Sequence, residues 1–280
     1  MSPHRFTQVD VFSDEPFGGN PVAVVHDADG LPDDELARFA SWTNLSETTF
    51  LLAPTDPRAD YRLRIFTPGR ELPFAGHPTL GSCRAWLAAG GVPRTPGRIV
   101  QQCGAGLIEV ADADGRLAFA APPLVRSGAA DGEVVEAALH AVGLGEDDAV
   151  GANWVDNGPG WLGLLLTDAA AVLRARPDRA LLGDLSLGLV GPHPAGADAD
   201  VEVRAFDADL PALEDPVTGS LNAGLAQWLI EAEVLPGRYI AAQGTALGRT
   251  GRVHINGDAD AIWVGGTTAA RITGTVDFSR

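Results

Sequence analysis

Apolar and polar residues alternate along this chain in short runs, the period of a half-buried strand. Residues 6–12, 22–25, 48–52 and 61–66 read this way. Residues 107–110 and 117–120 flank Asp114-Gly115, a strong hairpin signal, and 253–255 and 262–264 flank Asn256-Gly257. Helical spacing is rarer, over 33–42, 78–89, 133–142 and 220–232. Many strands joined by hairpins, with few helices, predict an α+β, mostly antiparallel fold over a doubly wound parallel sheet.

Comparing the chain with itself adds a second level of organisation. LRIFTPGRELPFAGHPTLG, from Leu63, and VRAFDADLPALEDPVTGSLNAG, from Val203, share an order: Arg-x-Phe, a loop, then Pro-x-x-Gly-x-x-x-x-Gly. The shared positions are Arg64, Phe66, Pro73, Gly76 and Gly81, then Arg204, Phe206, Pro216, Gly219 and Gly224. Each copy runs into a helical stretch with a tryptophan, Trp86 or Trp228. Duplication is the better reading. It predicts two similar domains facing a cleft, linked through Ala121-Pro122-Pro123-Leu124.

Composition narrows the chemistry. The chain has 280 residues, 45% of them apolar, enough for a packed core. No apolar run approaches a membrane span, and the N-terminus enters alternation without a leader, so a cytoplasmic protein is expected. A net charge of −17 argues against nucleic acid or an anionic membrane as partner. The chain contains no lysine, which excludes a lysine Schiff base and the P-loop lysine. Its two cysteines, Cys83 and Cys103, form no paired motif, and Cys83 reads as a small buried apolar residue. The six histidines never fall as HxH or HxxxH, and no GxGxxG follows a strand. Neither a metal nor a dinucleotide cofactor is expected.

The paired glycine turns are the main chemical feature. Each lies where a strand ends and a helix begins, and a helix start offers unpaired N–H groups and partial positive charge. Two such starts would hold a small anionic or zwitterionic substrate without lysine. Near them lie His77 and Thr79 in the first copy, and Asp215, Thr218, Ser220 and Asn222 in the second. Thr79, Thr218 and Ser220 read more simply as helix caps. His77, fixed between Gly76 and Pro78, is harder to dismiss.

These residues resemble a known family. FGGNPVAVV (17–25), NLSETTF (44–50), RIFTPGRELPFAGHPTLG (64–81), EDPVTGS (214–220) and QGTALGRTGRVHI (243–255) are similar, in order, to the signature blocks of the PhzF-like proteins of phenazine biosynthesis. The resemblance implies the diaminopimelate-epimerase-like fold. In that fold two similar domains each wrap a central helix in a sheet around a shared active site, and the last strand, here 270–278, returns to the first domain. The domains implied are 1–121 with 267–280, and 122–266. The resemblance also implies a homodimer.

Epimerases of that fold use two thiols, and the matching positions here look like Ala75 and Asp215, so two-thiol racemisation is not expected. The resemblance instead implies an isomerase that works without a cofactor, in which Glu47 moves a proton between two carbons on one face of a small unsaturated amino or carboxylate ring. His77 and Asp215 are implied as its catalytic partners, and Gly76, Thr79, Gly219, Ser220 and Asn20 as substrate-binding. His77 could donate to an oxygen or shuttle the proton, and Asp215 could hold an amine or share a proton. The loop Asp207-Ala-Asp209-Leu-Pro211 departs from the family's usual turn and puts substrate specificity in question. A non-thiol racemase and a non-catalytic binding protein on the same fold are the alternatives.

Overall fold

The structure is a computed structural model that describes residues 3–113, 115–208, 210, 212–257 and 261–279. Asp114 of the first hairpin signal, and Asp209 and Pro211 of the divergent loop, lie outside the described residues. The chain divides into two units, Met1–Ala120 with Gly265–Arg280, and Ala121–Val264.

Unit 1 contains β1 (His4–Val11), β2 (Asn20–Val25), α1 (Asp33–Thr43), β3 (Glu47–Leu52), β4 (Tyr61–Phe66), the two-residue β5 (Glu71–Leu72), α2 (Gly76–Ala88), β6 (Arg98–Cys103), β7 (Gly106–Ala113) and β8 (Arg116–Ala120). The last strand of the chain, β18 (Thr268–Val276), returns to pair antiparallel with β1. From β1 to β7 the pairings run antiparallel (β1–β2), parallel (β2–β3), antiparallel (β3–β4), parallel (β4–β6) and antiparallel (β6–β7).

This sheet wraps α2. The helix touches β1, β2, β3, β4, β6, β8 and β18, and Gly76 through Cys83 are all buried. A helix enclosed on every side needs no polar stripe, which explains its weak amphipathic pattern. α1 lies outside the sheet. Asp33, Asp34 and Glu35 complement its N-terminal dipole, and Leu36, Ala40 and Phe39 pack with Phe50 and Phe66. Asn44, in the left-handed region at φ 55°, ends it and turns the chain into β3.

Unit 2 contains β9 (Arg126–Ala129), α3 (Gly132–Ala141), β10 (Ala149–Asp156), β11 (Trp161–Leu166), α4 (Ala169–Arg174), α5 (Arg179–Leu182), β12 (Ser186–Pro192), β13 (Val201–Phe206), β14 (Glu214–Asp215), α6 (Gly219–Glu231), β15 (Arg238–Gln243) and β16 (Gly251–Gly257), after which β17 (Ile262–Gly266) leads back towards unit 1. From β10 to β16 the pairings repeat the unit 1 series: antiparallel, parallel, antiparallel, parallel, antiparallel. The fold is α+β, with a central helix and a mostly antiparallel sheet in each unit.

The short strands repeat as well. Ile65 and Phe66 face Leu72 and Glu71, and Ala205 and Phe206 face Asp215 and Glu214. The second glycine of each motif now has a reason. A Cβ on Gly81 would lie 2.3 Å from Val22 Cγ1, and one on Gly224 only 2.2 Å from the Val155 carbonyl oxygen. Each marks where the central helix presses on the sheet.

One expectation changes. Asn256-Gly257 is not a turn: β16 runs through Gly257, whose N–H donates to the Gly237 carbonyl. Ala75 and Asp215, the two positions matched to the thiols, are not equivalent to each other. Ala75 and Thr218 are the N-caps of α2 and α6 and correspond, while Asp215 matches Leu72, in keeping with the shared Pro-x-x-Gly.

Candidate active site

In unit 1 the parallel pairing of β2 and β3 sets Val22 opposite Glu47. Asn20 opens β2, Glu47 opens β3 and His77 follows Gly76 at the start of α2. The fold thus brings three residues from distant stretches to one place. His77 Nε2 lies 3.5 Å from Glu47 Oε2, with the two side chains 5% and 14% exposed. His77 Nδ1 lies 3.3 Å from the Asn20 amide nitrogen. Asp10 accepts from the Gly19 N–H and holds the turn that precedes Asn20.

Burial pushes His77 down to about 3, against a smaller opposing pull from the Pro21 backbone. The imidazole is therefore neutral at neutral pH, and its contact with Glu47 is not an ion pair. Thr79, expected to touch substrate, is fully buried. Its hydroxyl accepts from Gln101 Nε2, and Gln101 Oε1 accepts from Tyr61. It ties α2 to β6. Asn20 is fully buried too, and its contact is with His77.

In unit 2 Asp215 ends β14 inside a buried polar network whose polarity can be deduced. The Thr218 backbone N–H donates to Gln243 Oε1 at 3.0 Å, which fixes that amide's orientation. Asn222 Nδ2 donates to the same oxygen at 2.8 Å. Gln243 Nε2 therefore donates, to Thr218 Oγ1 at 3.0 Å and to the Asp215 carbonyl at 3.3 Å. The Thr218 hydroxyl must then give its hydrogen to Asp215 Oδ2, at 2.7 Å. Thr218 is thus not a side-chain cap, and Asp215 Oδ2 is an acceptor.

Beside Glu214, Arg204 closes a buried bidentate pair at 2.7 and 2.9 Å. Arg64 grips Glu71 in the same way in unit 1, at 2.7 Å on both arms.

Ser220, one residue into α6, accepts from Trp161 Nε1 at 3.0 Å, and its carbonyl accepts from Asn157 Nδ2 at 2.8 Å. Neither α2 nor α6 has a side-chain cap, although both are 13 residues long. Their first-turn N–H groups face no capping side chain, the arrangement that favours an anion. Burial disfavours the thiolate of both cysteines: it pushes Cys83 up to about 12 and raises Cys103 as well. Among the described residues, no three of His, Cys, Asp and Glu cluster closely enough to hold a metal ion.

Residues 9–275 match the family model for phenazine biosynthesis-like proteins, PhzC-PhzF. The chain belongs to that family. Family relatives span nearly its whole length. The trans-2,3-dihydro-3-hydroxyanthranilate isomerase of Pseudomonas aeruginosa is 33% identical over 95% of this chain and 97% of its own. Antisense-enhancing sequence 1 of Schizosaccharomyces pombe is 36% identical over 98% and 99%. The crystal structure of a PhzF-family protein from Enterococcus faecalis matches with a TM-score of 0.82 at 24% identity, over 99% of this chain and all of that one.

The sequence alone gave no role to Gln243, Trp161 or Asn157. Gln243 could have been suspected from its place before Gly244 in the last family block. Trp161 and Asn157 carry no signal beyond flanking the turn Asn157-Gly158-Pro159-Gly160.

Proposed function

We propose that this member of an isomerase family moves a proton from one carbon to another within a small unsaturated ring bearing a carboxylate and an amine, with Glu47 as the base. The observation that carries the reading is the Glu47–His77 pair. A largely enclosed carboxylate faces a neutral imidazole at the start of a buried, uncapped helix. Enclosure favours a carboxylate that can both take and return a proton. The imidazole stays uncharged, so it does not lock Glu47 in an ion pair. It can polarise an oxygen of the enolate-like intermediate or relay a proton.

Each helix start, at Gly76 in unit 1 and at Gly219 in unit 2, suits a carboxylate. Asp215, held as an acceptor by Thr218, suits an amine. The 33% identity to the dihydrohydroxyanthranilate isomerase supports trans-2,3-dihydro-3-hydroxyanthranilate as the first compound to try, and a place in secondary metabolism.

The test is turnover of that compound, followed by the ultraviolet change as its double bond shifts. Glu47→Gln keeps the shape and removes the base, and kcat should fall about 10²- to 10⁴-fold with an unchanged melting temperature. A Glu47→Gln protein with wild-type kcat sinks the mechanism. Exchange of a solvent deuteron at a stereocentre without any spectral change would point to a racemase instead.

A further inference from the structure

We infer that Trp161 is a positioning residue that sets Ser220 as a hydrogen-bond donor. The inference rests on the reading of Ser220 as a substrate contact. An indole N–H only donates, so Ser220 Oγ must accept from Trp161 Nε1. The hydroxyl hydrogen of Ser220 cannot then point at the indole and is left to serve a ligand oxygen. Trp161 is 3% exposed, while Ser220 keeps partial solvent access. The fixed partner is buried, whereas Ser220 is only partly so.

A buried indole N–H needs some acceptor, and a backbone carbonyl would have served as well. In each unit the second repeat strand approaches the side chain that follows the glycine turn, from different register positions. Asn20 of β2 lies 3.3 Å from His77, whereas Trp161 of β11, which registers with Val22, bonds Ser220. In unit 2, Asn157 Nδ2 adds a bond to the Ser220 carbonyl, which fixes the backbone of the same residue.

The bond itself can be read without substrate. The chain has six tryptophans, and the ¹⁵N-labelled indole resonance lost in Trp161→Phe identifies the relevant one. In Ser220→Ala that resonance should move upfield, and a resonance that stays in place overturns the inference.

The functional test is a cycle of Trp161→Phe, Ser220→Ala and the double variant, with trans-2,3-dihydro-3-hydroxyanthranilate as substrate. Trp161→Phe should lower kcat/KM about tenfold, and the double variant should match Ser220→Ala alone. Effects that multiply, or a Trp161→Phe enzyme at wild-type kcat/KM, overturn it. A wild-type protein that does not turn this compound over counts against the proposed reaction. The same cycle is then read as affinity for anthranilate by calorimetry. Weakening by Trp161→Phe only where Ser220 is present supports positioning. Equal affinity in Trp161→Phe and wild type, or none in either, overturns it.

Discussion

In unit 1 the helix that starts at Gly76 carries His77, a buried neutral imidazole beside a carboxylate. In unit 2 the helix that starts at Gly219 carries Ser220, a hydroxyl held by an indole, next to the network around Asp215. The scaffold repeats in strand pairing, in the glycine that presses helix on sheet, and in the Arg–Glu clamp before the turn. What differs is the side chain aimed from each turn, and how deeply the supporting groups are buried. A duplicated scaffold can thus hold a carboxylate beside a neutral imidazole in one copy, and a hydroxyl and a carboxylate with fixed hydrogen-bond roles in the other. The repeat preserves backbone geometry, while single residues at the turns set the chemistry.

The clamp offers the largest test of that difference. Arg204 and Glu214 are 5% and 7% exposed, and Arg204 also donates to the carbonyls of Val172 and Ala175. Arg64 and Glu71 are 23% and 42% exposed. Arg204→Met leaves a buried carboxylate unpaired and should lower unfolding free energy by about 3–5 kcal/mol. Arg64→Met should cost no more than about 1 kcal/mol. Urea denaturation of both variants measures the gap, and equal losses would break the comparison.

The glycines come next. In Gly224→Ala the new methyl meets a backbone carbonyl that cannot swing aside, whereas in Gly81→Ala it meets a valine side chain. Both should destabilise, by roughly 1–3 kcal/mol, with Gly224→Ala the worse of the two by thermal melting.

The last difference is the pH response of unit 1, small at neutral pH and growing only as the medium becomes acidic. His77 ordinarily titrates near 6.5 and is pushed down to about 3 in the fold. Between those values the unfolded chain binds the extra proton. Stability therefore falls as pH drops from about 6.5 towards 3, by at most about 1.4 kcal/mol per pH unit from this group. His77→Gln should remove that part of the slope in denaturation measured across the range. Unit 2 carries no histidine at the matching turn, so Ser220→Ala should leave the slope intact. A slope unchanged in His77→Gln would mean that the imidazole is not neutral in the fold.

Legibility tracks what each element must satisfy. Strands β1 to β4, with one face towards a core, show alternation, and the four long helices were all marked within two residues of their ends. β11 and β12 were not marked. They pair in parallel and are buried on both faces, so their apolar runs carry no period. The short helices α4 and α5 are too brief for a 3.6-residue pattern to emerge. At the site, Glu47, His77, Asp215 and Ser220 stood out because they lie in blocks with a family likeness. Gln243 and Trp161 act through partners 25 and 59 residues away along the chain, so nothing local to them shows the role.

The sequence by itself determined the duplication, the α+β class, the family and the residues worth testing, because glycine turns, periodicity and ordered motifs are local features. Only the tertiary structure decided that Asn256-Gly257 lies within a strand, that Thr79 is buried against Gln101, and that Thr218 donates to Asp215. Those outcomes depend on register, burial and the direction of hydrogen bonds. Each is a relation between residues distant in sequence, settled only when the strands and the central helix pack together.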